Sequence, residues 1–207
     1  MSETTRVRNT NIALGIGVIA LSSMIFAPVA QTATKFLAGD FPLWQILFFR
    51  ALGQTGWMLA FFWPKERSRL FRTQHLGIHL ARSSLLFAST LCWTSVIAYV
   101  PLTTASSINF TAPIMVVLLA IPLLGERVGI HRWSAVIVGF VGALIVIQPG
   151  PSGVSPELLT LLLAAFLFAV YQILTRKVTG TDSAATTSVY TVIVGLVISA
   201  MVRSEEH

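Results

Sequence analysis

Charge is what this 207-residue chain has least of: Asp, Glu, Lys and Arg make up 11% of it, against about 25% in an ordinary soluble domain. A water-soluble fold of this size cannot clothe its surface with so few charges. That excludes a cytosolic enzyme or a nucleic-acid binder, and the net charge of +6 needs another origin. Acidic residues number only 8, namely Glu3, Asp40, Glu66, Glu126, Glu157, Asp182, Glu205 and Glu206, and all are read as loop or terminal residues. Proton-coupled pumps commonly relay through intramembrane carboxylates or histidines; any proton coupling here is expected to avoid a mid-membrane carboxylate. The single cysteine, Cys92, permits no intrachain disulfide and leaves the redox compartment unread. There is no HExxH, no GxSxG and no phosphate-cradling glycine loop, so no catalytic residue, enzyme activity or cofactor is expected. His75 and His79 stand at helical spacing, but a closed zinc site needs four ligands. Glu66 and His131 lie at no motif spacing from that pair, and no metal site is assigned.

What the chain has is apolar length. Hydrophobic residues make up 55% of it and the mean hydropathy is +0.78. Seven apolar stretches, at about 12–33, 43–63, 78–100, 102–124, 133–148, 157–175 and 184–202, approach the roughly 20 residues that span a bilayer as a helix. Membrane β-barrels instead show alternating ten-residue segments. The fold class is therefore all-α, a polytopic transmembrane helix bundle whose surroundings are the lipid bilayer. Pro28, Pro101, Pro113 and Pro122 fall in or at the ends of spans, where prolines mark bends beside cavities. The first stretch lacks a convincing small-x-small cleavage site and is read as a retained helix.

Basic residues set the orientation. With simple alternation, Arg6, Arg8, Lys65, Arg67, Arg69, Arg72, Arg127, Arg132, Arg176 and Lys177 share one side, and Lys35 and Arg203 the other. The N-terminus is thus expected in the cytoplasm of what reads as a bacterial inner membrane. Topology, not nucleic acid, accounts for the basic charge.

Displaced by 142 positions, the sequence aligns spans one and two with spans six and seven. Leu21 meets Leu163, Phe26 meets Phe168, Ala27 meets Ala169, Lys35 meets Lys177, Asp40 meets Asp182 and Gly53 meets Gly195. A five-helix unit is odd in number, so its second copy enters the membrane inverted, as in carriers that work by alternating access. Residues 1–150 then form one five-helix repeat, and 151–207 hold the first two helices of an inverted second one.

Three stretches carry a resemblance: LWQILFFRALGQ in span two, IAYVPLTTASSINFTAPIMVVLLAIPLLGERV through span four, and RWSAVIVGFVGALIVIQPG in span five. With them the chain resembles the EamA-like ten-helix members of the drug/metabolite transporter superfamily over residues 12–202. The resemblance implies a carrier of amino acids, nucleotide-like compounds or drugs, with a cavity between two inverted halves. The stop at His207 is a departure from ten helices.

Arg50 lies about eight residues, or about 12 Å, into span two. A central arginine costs about 2.5–3.5 kcal/mol on insertion scales, so it should face protein or water. It either anchors a substrate carboxylate or phosphate through its planar fork, or caps carbonyls of a broken neighbouring helix. Gln54 and Trp57 share its helical face. Arg82, near the start of span three, is expected to snorkel to cytoplasmic water. Span four opens with Thr103, Thr104, Ser106, Ser107, Asn109 and Thr111, a polar half that lines a cavity or bonds to other helices. Trp93 of span three and Tyr171 and Gln172 of span six raise the same alternatives. Glu126 and Arg127 match a Gly-Glu feature of the resembled family, as a gate contact or as a solvated ion pair. Ala135, Gly139 and Ala143 form a small-residue stripe suited to close helix packing.

The leading expectation is a carrier of a small organic metabolite by alternating access. Its substrate-binding candidates are Arg50, Gln54, Trp57, Trp93, Thr103, Ser106, Ser107, Asn109, Tyr171 and Gln172. The rival is a non-transporting remnant or helper subunit. The expected partners are a small-molecule substrate, the lipid bilayer, and either a homodimer or, on the rival reading, a partner chain that supplies the helices the repeat lacks.

Overall fold

In hydrocarbon a backbone can satisfy its own polar groups only by regular internal hydrogen bonds, so apolar runs of this length must be helical. The computed structural model describes residues 3–66, 73, 75–125, 129–147, 155–178 and 183–205, and every element among them is a helix. In chain order these are α1 (Glu3–Asp40), α2 (Leu43–Glu66), α3 (Leu76–Val96), α4 (Leu102–Asn109), α5 (Ala112–Leu124), α6 (Ile130–Ile147), α7 (Pro156–Val178) and α8 (Ala184–Glu205).

Seven rods stand where seven spans are expected, with three corrections. Span four is not one continuous helix. It breaks into α4 and α5 at Phe110–Thr111, because Pro113 has no N–H to offer the carbonyl of Asn109. The Thr111 hydroxyl instead donates to the Ile108 carbonyl at 2.6 Å. α1 runs on to Asp40, so Lys35 is helical and not in a connecting loop; its Nζ donates to the Val100 carbonyl at 2.5 Å. Of the described carboxylates, Asp40, Glu66 and Glu157 fall in the terminal turns of α1, α2 and α7 and not in loops, while Glu3 and Glu205 keep the terminal positions expected of them. α5 closes at Gly125, whose φ of +67° takes the left-handed cap position that favours glycine, with its N–H on the Ile121 carbonyl.

α7 is the central rod. It packs most extensively on α3 and also on α5 and α4, while α2 pairs with α8. Its inward face is small. Ala164, Ala165 and Ala169 are buried with Leu161 and Ile173, letting neighbouring backbones approach as membrane helices prefer. Ala169 and Ile173 meet Val116 and Ala120 of α5, while Ala185 and Val189 of α8 meet Met58, Leu59 and Phe62 of α2. In α6 the small-residue stripe is only partly used. A side chain added at Gly139 would touch Ile114 of α5 at 3.4 Å, but Ala135 is exposed.

The outer surface is the inverse of a soluble protein's. Met24, Phe26 and Phe36 of α1, Trp57 of α2 and Ile130 and Val138 of α6 are each more than 70% exposed. So large an apolar coat is not found on soluble monomers. Leu102–Leu124, Pro156–Val178 and Ala185–Val202 are long and apolar enough to cross a bilayer by length and composition. The protein is a multi-pass membrane protein.

Ala169→Leu should overpack the α5–α7 contact at a cost of about 1–3 kcal/mol, lowering the melting temperature in detergent by about 2–10 °C. The exposed Ala200→Leu is the control and should shift it by less than about 2 °C.

Candidate functional site

Helical periodicity sorts α2 into two faces. Leu47, Ala51 and Thr55 are buried on one face, while Gln45 and Phe49, beside the row of the buried Ile46 with Arg50 and Gln54, form a stripe of two four-residue rows on the other. That stripe borders a cavity of about 720 Å³ at the end of the bundle marked by the α1–α2 corner. The last three turns of α1 and the corner contribute Gln31, Thr34, Leu37 and Phe41, and α3 contributes Leu86, Ser89, Thr90 and Trp93. Ala164 and Phe168 of α7 and Asn109 at the α4–α5 break complete the wall. The volume falls within the usual range of about 300–1,000 Å³ for small-molecule sites.

Many polar groups around the cavity are already engaged. Ser89 donates to the Ala164 carbonyl at 2.8 Å, tying α3 to α7. Thr34 and Thr90 bond back to the carbonyls of Ala30 and Leu86 in their own helices. Ser106 reaches the Gln31 amide oxygen at 3.5 Å. The Arg50 guanidinium and the amides of Gln45, Gln54 and Asn109 have no hydrogen-bond partner among the described residues. No carboxylate is among the lining residues. The wall thus offers one cation, uncommitted amides, and the rings of Phe41, Phe49, Trp93 and Phe168.

Four of the sequence-expected residues, Arg50, Gln54, Trp93 and Asn109, come together here. Trp57 does not. It shares Arg50's face but lies about 10 Å further along the axis, beyond the end of the cavity, and is 74% exposed. Thr103, Ser106 and Ser107 sit on α4 outside the wall, where Ser107 bonds to the Thr103 carbonyl. Tyr171 and Gln172 lie one turn past Phe168, also outside it. Glu126 and Arg127 lie outside the described residues. Gln31, Gln45, Phe49 and Phe168 escaped notice in the sequence. Gln45 and Phe49 had a signal, standing four residues apart on the row beside that of Arg50 and Gln54; Gln31 and Phe168 had none, because only packing brings α1 and α7 to this wall.

Arg82 is the largest departure from expectation. It does not snorkel but is fully buried. Its Nε donates to His79 Nδ1 at 3.2 Å. One terminal nitrogen donates to Thr175 Oγ1 at 3.3 Å, and the other to Thr191 Oγ1 at 2.6 Å and to the Thr187 carbonyl. The guanidinium carbon lies 5.7 Å from the centre of the Tyr171 ring, and His79 stacks on Tyr190 at 5.3 Å. The side chain points inward because α7 and α8 place hydroxyls and a carbonyl around it, an environment that competes with water.

Residues 13–148 match the EamA-like transporter family. The chain is 31% identical over 186 residues to an S-adenosylmethionine uptake transporter of Rickettsia bellii, covering 90% of this chain and 63% of that protein. It is 29% identical over 191 residues to the transporter of the same description from Rickettsia felis, covering 92% and 64%. A riboflavin transporter of Rhizobium johnstonii is 34% identical over 119 residues, or 58% of this chain and 39% of that one. The chain therefore spans a little under two thirds of the length of the two Rickettsia relatives. No solved structure matches it.

Because the Ser89 hydroxyl is spent on the Ala164 carbonyl, Ser89→Ala should cost about 0.6 kcal/mol, typical of an interhelical hydrogen bond in a membrane. Thermal unfolding in detergent should fall by about 1–2 °C. A fall above about 5 °C would mean that the hydroxyl supports more than this one bond.

Proposed function

Because the chain belongs to the EamA-like transporter family, a family of carriers and not of enzymes, we propose that it moves a small organic metabolite across the membrane by alternating access. The substrate binds in the Arg50 cavity. The observation that carries this reading is the guanidinium itself. It faces a cavity of about 720 Å³ with no protein partner among the described residues, and a central cation in a membrane protein needs one. A carboxylate or phosphate on the substrate supplies it through the planar fork. The alternative role, capping carbonyls freed by a broken helix, draws no support from the contacts of Arg50.

The rest of the wall narrows the substrate class. Aromatic faces stack on flat rings, and the uncommitted amides of Gln45, Gln54 and Asn109 can each donate and accept. A flat nitrogen heterocycle with a polar tail that ends in an anionic or zwitterionic group fits these features. Among such molecules are nucleoside-bearing amino acids, the class that includes the compound named for the Rickettsia relatives.

In this reading α1 to α6 form the first repeat and α7 and α8 open an inverted second one. The mutual packing of α2 and α8, which the offset pairs as counterparts, is what related elements beside a two-fold axis would do. The basic loops put the N-terminus in the cytoplasm of a bacterial inner membrane, so the cavity lies at the outer side.

Arg50→Ala should reduce uptake or efflux at low substrate concentration by tenfold or more, the loss expected when one charge-assisted contact of about 1.5–3 kcal/mol is removed. Membrane abundance should be unchanged, and Arg50→Lys should keep part of the activity. Parallel loss of abundance and transport would assign Arg50 to folding.

A further inference from the structure

The buried Arg82 cluster lies outside the cavity, yet four features tie it to the same path. Along α3, Arg82, Leu86, Ser89 and Trp93 follow one another at steps of four, three and four residues, so Arg82 sits on the face that lines the cavity. It stands one turn beyond Leu86, about 6 Å along the axis. A smaller void of about 120 Å³ adjoins the cavity. It shares Arg50, Gln54, Leu86 and Thr90 with it and reaches Thr191, the residue to which Arg82 donates at 2.6 Å. A ring contact makes a second connection: Phe168 of the cavity wall stacks on Tyr171 at 5.8 Å, and Tyr171 lies against the Arg82 guanidinium. Beyond Arg82 the bundle reaches the basic end, where α3 begins at Leu76, α7 ends at Val178 after Arg176 and Lys177, and α8 begins at Ala184.

The bonds of Arg82 also cross the seam that a rocking motion would open. Its own helix belongs to the first repeat; Tyr171 and Thr175 belong to α7, and Thr187 and Thr191 to α8. All these partners are neutral, and among the described residues the guanidinium has no carboxylate partner. Hydroxyls and a carbonyl hold a cation less tightly than a carboxylate does. They hold it firmly enough to close a seam and weakly enough to release it when a substrate anion offers more.

We propose that Arg82 is the inner gate of the transport path, a positioning residue that locks α3 to α7 and α8 while the Arg50 cavity is open on the other side. The proposal rests on the carrier reading above. In the cycle, the substrate's anionic group, moving inward from Arg50 through the small void, replaces Thr191 and the Thr187 carbonyl as partner of Arg82. The seam then parts toward the basic end. Arg50 and Arg82 act in sequence on one anion.

The test is side-specific thiol labelling of the full chain in membranes, with Cys92→Ala as background and Leu86→Cys as reporter. Gly39→Cys, at an exposed position with open space around it, marks which face of the vesicle carries the α1–α2 corner. With Arg82 intact, a membrane-impermeant methanethiosulfonate should reach Leu86→Cys from the corner side and not from the basic side. Adding Arg82→Ala should raise the labelling rate from the basic side by tenfold or more. If Arg82→Ala fails to insert, the double variant Thr175→Val/Thr191→Val, which keeps the guanidinium but removes two acceptors, should raise that rate by threefold or more. An unchanged basic-side rate in an inserted Arg82→Ala protein, or in the double variant where that protein is absent, overturns the gate. Labelling reads the gate without any transported substrate. If Arg50→Ala leaves transport intact while Arg82→Ala opens the basic side, the binding-site reading fails and the gate stands.

Discussion

A guanidinium inside hydrocarbon has to be surrounded by acceptors, and the arrangement of this bundle follows from how two arginines meet that demand. Arg82 meets it with protein. Hydroxyls, a carbonyl, an imidazole nitrogen and a ring face from three helices close around it, which fixes the relative placement of α3, α7 and α8 at the basic end. Arg50 meets it with a cavity. Its fork opens onto a space that no described side chain fills. One cation is satisfied by the fold and the other borders an unfilled space, so the two stand in different surroundings along the bundle's axis.

The bundle can hold these groups because its central rod is thin. Alanines along α7 bring α3 and α5 close enough for the Ser89 hydroxyl to reach the Ala164 carbonyl at 2.8 Å and for the threonines of α7 and α8 to reach Arg82. Apolar driving force between helices is weak in a membrane, so close van der Waals contact and a few interhelical hydrogen bonds must do what hydrophobic burial does in water. The break at Phe110–Thr111 belongs to the same economy. Pro113 frees the Asn109 carbonyl beside the cavity wall, a place where irregular backbone is tolerated because a cavity adjoins it.

Much of this was legible from residue order alone, and the boundary is physical. Class, span number and approximate span limits follow from apolar length and scarce charge, which are properties of the chain against its solvent. The family resemblance rested on continuous stretches, and residues 13–148 do match that family. Of the expected residues, Arg50, Gln54, Trp93 and Asn109 line one cavity, and each was singled out because it is polar or amphipathic at depth. Trp57 falls outside that wall because helical spacing gives the face of a residue but not how far a cavity extends along the axis. The hydroxyls of α4 satisfy an equally sound expectation by bonding within their own helix or toward Gln31.

Arg82 shows most clearly what residue order cannot decide. An arginine one turn or so into a membrane helix can snorkel outward or turn inward, and its own neighbours in sequence do not choose between them. The choice was made by Tyr171, Thr175, Thr187 and Thr191, some ninety to a hundred and ten residues later in the chain. Their hydroxyls and carbonyl outbid water only because α7 and α8 pack beside α3. The sequence by itself determined a helical membrane protein with an arginine that must be satisfied near mid-span. Only tertiary packing decided that one arginine faces an open cavity and the other is locked in a seam, because the free energy of a buried charge is set by the atoms within a few ångströms of it and not by those next to it in the chain.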